Sequence, residues 1–232
     1  IATDYLASDA SVFWTAGDNT GYDNDIFGVG RDDDSELDQR VSKSVNNGSI
    51  VTIALDNDFT AANNDAGRTT THTNDIQFLT IANDGGATTT QSTEIDAAQF
   101  NVRTIREWKV DKTGTVGSIN LQFDVENPDY NVPDLVLGTS YYIVIDTDDD
   151  QDLSDETPSV LTNSSGALWS TSFNFSDGAI FSLATAIDSS VVPPTTPLSA
   201  PDLQTGSDTG ASNTDNITAD NTPSFDFMCT ES

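Results

Sequence analysis

The stretch Val116–Val125, VGSINLQFDV, decides the fold, because apolar and polar side chains alternate along its second half. Every second side chain there is apolar, at Leu121, Phe123 and Val125. Successive side chains of a β-strand point to opposite faces, so these three share one face and polar residues share the other. The stretch therefore predicts a strand with one face in a core and the other toward water.

Similar short runs recur along the chain, bounded by Gly, Asn, Asp and Ser, while helix signals are nearly absent. Long polar loops are expected at Asp56–Asn74 and Gly85–Ala98. So many short strands predict an all-β fold, an antiparallel β-sandwich. The strands are predicted at Ser11–Thr15, Ile26–Arg31, Ser49–Leu55, Asp75–Ile81, Ile105–Asp111, Val116–Val125, Ser140–Asp146, Ala167–Phe175 and Ala179–Ala184.

The charge of the chain limits its partners. The formal net charge is -30, from 38 acidic and 8 basic residues among 232. Such a chain repels nucleic acid and anionic lipid, and no apolar run approaches the ~18 residues that span a bilayer. We therefore expect no nucleic-acid binding and no membrane insertion. The acids are mostly Asp, which favours turns and loops that bind divalent cations.

The strongest candidate site is Asp146–Glu156, DTDDDQDLSDE, which directly follows the strand-like run YYIVI. Ca²⁺ takes six to eight hard oxygen ligands, and a loop with Asp at its first, third and fifth positions is able to wrap one ion. The spacing departs from an EF-hand, because Gln151 stands in the place of the turn glycine and Thr157 in that of the bidentate Glu. A hydrated acidic hairpin loop is the alternative. The predicted calcium ligands are Asp146, Asp148, Asp150, Asp152, Asp155 and Glu156.

Other features carry weaker chemical signals. The acids Asp23–Asp25 and Asp32–Asp34 lie on either side of IFGVGR without a distinctive metal spacing, so solvated turns explain them better than a second metal site does. Gly28 and Gly30 lack the third glycine and the helix of a nucleotide loop, and we expect them to allow close packing or a bulge. His72, the one histidine, stands in a Thr-rich loop, where we expect an exposed side chain.

The aromatic side chains suggest a sugar-binding surface as one alternative. Trp108 shares a face with Arg106 and Val110 and is expected in the core. Tyr141 and Tyr142 point to opposite faces of one strand, so one of them is expected to be exposed. The candidates for stacking on sugars are Trp14, Trp108, Trp169, Tyr141 and Tyr142.

The composition changes near residue 189. Ser189–Ala200, SSVVPPTTPLSA, predicts an extended linker stiffened by three prolines. Residues 201–232 then read as the opening of a further β domain, with the strand-like run SFDFM after Pro223. We expect three parts, a sandwich at 1–188, a linker at 189–200 and an incomplete domain at 201–232. The chain is therefore expected to be a segment of a longer tandem-domain protein.

Several motifs of residues 4–184 resemble an uncharacterised β-rich domain of bacterial secreted surface proteins. They are DYLASDASVFW at Asp4–Trp14, YDNDIFGVGRDDDSELDQRVSKSV at Tyr22–Val45, REWKV at Arg106–Val110 and the loop after Asp146, and NDIFGVGRDD is the most specific. In such proteins the domain often follows a lectin-like module. The resemblance implies an extracellular setting on a bacterium and no known catalysis.

Pro201–Phe227 resembles the start of bacterial Ig-like repeats in very large adhesins. In that family, acidic residues near domain junctions bind Ca²⁺ and stiffen the array. The resemblance implies a possible junction metal site at the matching acidic positions, Asp202, Asp208, Asp215 and Asp220.

Together these observations predict a non-enzymatic structural or adhesive module of a large bacterial surface protein, rigidified by calcium. Its expected partners are other modules or neighbouring copies, and surface glycans. One alternative is a subunit of an extracellular filament or sheath, in which Asn221–Ser232 pairs as a strand with a neighbouring copy. A third is a carbohydrate-binding module with an open groove of aromatic and acidic side chains.

Overall fold

The computed structural model of the chain describes residues 3–46, 49–96, 100–125, 140–166, 168–186, 202–212 and 215–226. These residues contain strands and turns but no helix, and therefore no helix that is long and apolar enough to span a membrane. The chain divides into two compact units, residues 1–187 and residues 188–232. The all-β prediction is confirmed.

Among the described residues, sixteen strands belong to the first unit and two to the second. All nine predicted strands overlap an observed one, and the strands that sequence reasoning missed are mostly short. In chain order the strands are β1 Tyr5–Leu6, β2 Val12–Trp14, β3 Asn24–Asp32, β4 Leu37–Gln39, β5 Val41–Lys43, β6 Val51–Ala54, β7 Gln77–Asn83, β8 Thr90–Gln91, β9 Phe100–Thr104, β10 Trp108–Thr113, β11 Ile119–Asp124, β12 Tyr141–Ile145, β13 Ser159–Val160, β14 Thr162–Ser165, β15 Leu168–Phe173, β16 Ile180–Ala186, β17 Asp202–Leu203 and β18 Phe225–Asp226.

Two antiparallel sheets pack against each other to form the sandwich. The larger sheet runs β13-β12-β16-β10-β7-β3-β4, and β9 also pairs with β16 and carries β8 on its other side. The smaller sheet runs β14-β15-β11-β6-β5. The inward stripe predicted on β11 is confirmed, because Leu121 and Phe123 are fully buried.

An aromatic trio joins the two sheets. Trp108 of β10 stacks on Phe181 of β16 with ring centroids 5.5 Å apart. Phe123 of β11 meets these two rings edge-on, at 6.1 and 6.4 Å. Each large ring buries roughly 150–250 Å² of surface on folding, so the trio supplies much of the apolar contact between the sheets. The prediction that Trp108 lies in the core is confirmed.

The larger sheet is covered on its outer face as well. Every residue of β7 is buried, although neighbouring side chains point to opposite faces. The β1–β2 ribbon explains this burial, because Phe13 stacks on Phe78 with centroids 4.3 Å apart. Trp14 of the same ribbon is only 1% exposed. The first unit therefore has a partial third layer outside the larger sheet.

The motif NDIFGVGRDD corresponds to β3 and its close contact with β7. A Cβ on Gly28 would lie 2.7 Å from the Leu79 carbonyl oxygen, and one on Gly30 would collide with the ring of Phe78. The register shifts after Asn24, which is the mark of a bulge. The expectation of close packing or a bulge is thus confirmed for both glycines.

Both side edges of the sandwich are formed by strands that change sheets. β4 belongs to the larger sheet and β5 to the smaller one, with Arg40 between them. In the same way β13 lies in the larger sheet and β14 in the smaller one, with the buried Leu161 between them. Such corners let one chain close the side of a two-sheet fold.

The second unit contains one described strand pair. Asp202 of β17 pairs with Asp226 of β18, and Leu203 pairs with Phe225. Leu203 is its one buried apolar side chain among the described residues, whereas Phe225 is 45% exposed. The described residues of the predicted strand SFDFM therefore pair with a strand of the same chain. The predicted linker and residues 227–232 lie outside the described residues, and the Ig-like assignment remains a prediction.

Candidate metal centre

The Asp146 loop, residues Asp146–Glu156, follows β12, which lies between β13 and β16 in the larger sheet. The Asp146 main-chain nitrogen still donates to the Ile180 carbonyl oxygen at 2.9 Å, so the strand fixes the first residue of the loop. The Asp146 side chain is buried, with a residue exposure of 4%. The acidic loop thus starts from a carboxylate that is held in place by the sheet.

Three of the six predicted ligands converge. Asp146, Asp148 and Asp150 each present a carboxylate oxygen, and these three oxygens lie within 4.8 Å of one another. Asp148 and Asp150 are exposed, so the group opens to solvent on one side. In the described part of the chain this is the one such group of three potential metal ligands. Oxygen atoms at this spacing suit a hard divalent cation.

Main-chain hydrogen bonds wrap the loop around the Asp146 carboxylate. Its two oxygens accept from the nitrogens of Asp149 at 2.7 Å and Gln151 at 2.9 Å. Asp149 and Gln151 both have positive φ, 63° and 67°. Gln151 therefore adopts the left-handed conformation that a glycine favours at this place in an EF-hand.

The other three predicted ligands have different surroundings. The Glu156 carboxylate accepts from the Thr147 main-chain nitrogen at 2.6 Å and from its hydroxyl at 2.8 Å, and so ties the two ends of the loop together. Asp152 accepts from the Ser154 nitrogen at 2.8 Å. Asp155 is close enough to contribute to the repulsion felt by Asp148. None of these three belongs to the converging group.

The electrostatics of the loop favour an added positive charge. The pKa of Asp148 is raised, first by desolvation and then by repulsion from Asp150, Asp155 and Glu156. None of the ion pairs among the described residues includes Asp146, Asp148 or Asp150. A bound cation would relieve this repulsion and stabilise the charged carboxylates.

An apolar anchor fixes the far side of the loop. Leu153 is buried in a small cluster outside the larger sheet, and Tyr142 packs against that cluster. The cluster members are Ile95, Phe100, Val144, Leu153 and Ala184. The expectation that one of Tyr141 and Tyr142 is exposed was wrong, because Tyr141 is buried and Tyr142 is partly buried. The loop is therefore held by its first carboxylate and by one apolar side chain.

A second acidic loop, the Arg68 loop at residues 56–74, contains an internal cation that sequence reasoning missed. The Arg68 guanidinium donates to the Asp56 carboxylate at 2.5 Å. It also donates to the main-chain carbonyls of Asp58, Ala61 and Ala62 at 2.6–3.0 Å. Its side chain is 1% exposed. The sequence did contain a signal for this role, because Arg68 is the one arginine or lysine in this long acidic loop.

His72 is buried, with 4% exposure, so the expectation of an exposed histidine was wrong. The Arg68 loop folds back on β4, and the His72 Nε2 lies 3.3 Å from the Gln39 carbonyl oxygen. Because a carbonyl only accepts, Nε2 carries the proton of the neutral ring. Burial is the main reason that the pKa of His72 is lowered. No nucleophilic side chain is among the described contacts of the His72 ring.

The weaker acidic cluster is engaged in internal contacts. Asp32 is 2% exposed and accepts from the Ser8 nitrogen at 2.8 Å and from its hydroxyl at 2.5 Å. Asp33 pairs with Arg31 at 2.7 Å. Asp25 accepts from the Asn83 amide at 2.9 Å. These aspartates therefore act as structural acceptors around β3.

Of the four acids predicted at a junction, the three whose side chains the structure describes, Asp208, Asp215 and Asp220, form no converging group. Asp208 is 4% exposed; one of its oxygens accepts from the Asn216 nitrogen at 3.3 Å, and the other has no described hydrogen-bond partner. Asp215 and Asp220 each accept from the main-chain nitrogen two residues later. Asp202 begins β17. A metal at these residues remains a prediction.

The comparisons with known proteins identify a family. A protein-family model described as a domain of unknown function, DUF8202, matches residues 1–179. The chain therefore belongs to this family, and the matched range covers most of the sandwich. No curated protein and no solved structure matches the chain.

Proposed function

We propose that the chain is a non-enzymatic structural module of a large bacterial surface protein, and that Ca²⁺ bound by the Asp146 loop stiffens it. The observation that carries the proposal is the convergence of Asp146, Asp148 and Asp150 without a basic partner among the described residues. Calcium suits this loop because it accepts flexible sets of six to eight oxygen ligands. Main-chain carbonyls and water would supply the remaining oxygens.

The ion would act by joining a fixed carboxylate to two exposed ones. Asp146 is held at the end of β12, whereas Asp148 and Asp150 extend into solvent. A cation between them would fix the conformation of the loop above the anchor at Leu153. The loop between β12 and β13 would then lose conformational freedom, which makes the module stiffer.

The surface location and the connecting role rest on the resemblance of residues 4–227 to modules of secreted surface proteins. The burial of Trp14, Trp108 and Tyr141 removes three of the five candidate sugar-stacking side chains from the surface, which favours a connecting role over a sugar-binding one. The filament alternative loses some support because Phe225 pairs with Leu203 of its own chain.

Titration calorimetry of Ca²⁺ into metal-free protein tests the cation site. We expect saturable binding, with a dissociation constant of about 10⁻⁴–10⁻³ M, the range of extracellular calcium modules. Asp148→Asn should weaken it at least tenfold, while Asp34→Asn, an exposed aspartate outside the loop, should leave it unchanged. Absence of saturable binding in the wild type, or equal binding in Asp148→Asn, would refute the calcium proposal.

Fractionation of bacteria that express the full-length protein tests the location. Immunodetection should find the protein in the cell-surface or culture fraction. Retention in the cytoplasmic fraction would contradict the proposed surface role, whatever the result of the calcium titration.

A further inference from the structure

The Arg68 loop meets the corner between β4 and β5 along a seam of three described contacts. Asn63 Oδ1 accepts from the main-chain nitrogens of Arg40 and Val41, both at 2.9 Å. The Arg68 carbonyl oxygen accepts from Arg40 Nη1 at 3.3 Å. The third contact is the His72 Nε2 donating to the Gln39 carbonyl oxygen. The seam holds the loop against the point where the chain changes sheets.

Of these contacts, only the one through His72 involves a group that titrates near neutral pH. Both basic groups near the His72 ring are already paired with acids. Arg31, from β3, donates to the His72 carbonyl oxygen at 3.2 Å and is paired with Asp33. Arg40, from the corner, is paired with Asp38 of β4. Asp75, which follows the loop, accepts from the Asp33 main-chain nitrogen at 2.7 Å.

We propose that protonation of His72 opens this seam, so that the Arg68 loop separates from the β4–β5 corner in mild acid. A second proton on the buried ring would place a positive charge beside two guanidinium groups, Arg31 and Arg40. Asp38 is the acid that most favours this charge, but Arg40 already occupies one of its oxygens. Its other oxygen is buried and has no described hydrogen-bond partner.

The direction of the pH effect follows from the lowered pKa of His72 in the closed seam. When the loop is open, the ring is solvated and has its ordinary pKa of about 6.5. Acid therefore favours the open state: the stability of the seam is complete above pH 6.5 and falls as the pH drops toward the lower pKa of the closed state. If the His72 ring stays neutral in the closed state, the ratio of open to closed molecules rises about tenfold between pH 7.5 and pH 5.5.

Hydrogen exchange measured by mass spectrometry on the whole chain, in saturating Ca²⁺, tests the proposal. After correction for intrinsic exchange rates, peptides from residues 56–74 should open up to about tenfold more at pH 5.5 than at pH 7.5. His72→Gln keeps an N–H donor but does not titrate, so its exchange should be independent of pH. An unchanged wild-type profile, or the same pH dependence in His72→Gln, would overturn the proposal.

An NMR titration of the ring supplies an independent readout. His72 is the one histidine of the chain, so its ring signals need no assignment by mutation. A pKa below 6.5 supports the proposal, and a pKa at or above 6.5 overturns it, because acid would then not favour the open seam.

Discussion

The Arg68 loop and the Asp146 loop both leave a strand of the sandwich and both are rich in aspartate, but only the Arg68 loop contains a basic side chain. In that loop a buried guanidinium takes up one carboxylate and three carbonyls. In the Asp146 loop the described contacts are main-chain N–H groups, and three carboxylates remain close together. A loop that carries its own cation neutralises its carboxylate internally, whereas for the loop that lacks one we propose that an ion from outside takes this part.

The largest expected effect comes from removing the internal cation. Arg68→Met should lower the free energy of unfolding by about 3–5 kcal/mol, because it leaves the Asp56 carboxylate and three carbonyls without their partner. Urea denaturation in saturating Ca²⁺ measures this. Lys43→Met, which removes an exposed lysine, serves as the control and should change stability by less than about 0.5 kcal/mol. A loss of similar size in both variants would mean that the guanidinium does not organise the loop.

Removal of calcium should have the next largest effect. At a free ion concentration of 100 times the dissociation constant, binding stabilises the folded state by about 2.7 kcal/mol. Thermal melts with Ca²⁺ and with chelator should show this difference in the wild type. They should show none in an Asp148→Asn/Asp150→Asn variant. A chelator effect that survives in the double variant would place the ion elsewhere.

Glu156→Gln should cost about 1–3 kcal/mol, since the substitution weakens two hydrogen bonds from Thr147 to a charged acceptor. Glu156 was predicted as a calcium ligand, but in the structure it ties the loop ends. The cost should therefore be equal in calcium and in chelator. If it appears in calcium alone, Glu156 is a ligand after all.

The smallest effect should come from giving the Asp146 loop a cation of its own. Asp150→Lys places an ammonium group beside Asp146 and Asp148. In chelator, the melting midpoint of the variant should exceed that of the wild type, but by less than calcium raises the wild-type midpoint. Calcium should not raise the midpoint of the variant any further. Asp34→Lys makes the same charge change outside the loop. An equal rise in that control would assign the effect to net charge and not to the loop.

The sequence predicted the inner strands well because alternation such as that of Leu121 and Phe123 directly reports a buried face. It missed β4, β5, β13 and β14, which have only two to four residues each and are positioned by pairing with a neighbouring strand of their own sheet. Local pattern carries too little information to place such short strands. Their positions are set by pairing with other strands in the folded chain.

Three of the six predicted ligands converge because a strand fixes Asp146 and the alternate residues Asp148 and Asp150 follow it closely; calcium binding there remains a prediction. The sequence did not reveal that Arg68 and His72 are buried, since both stand in a polar loop that resembles a solvated one. Their burial depends on carbonyls and on β4, whose approach is a property of the folded chain. Long-range polar contacts of this kind leave no local pattern.

The sheet-changing corners at Arg40 and Leu161 have a consequence for molecules of this protein at high concentration. A long, flat edge strand is a template on which another chain adds by main-chain hydrogen bonds, and this is how ordered aggregates grow. Here the strands on either side of each corner have two to four residues, so each offers only a short template. Along the described strands, the corners therefore leave little edge on which a second copy could add, and we expect them to slow amyloid-like assembly even at high local concentration.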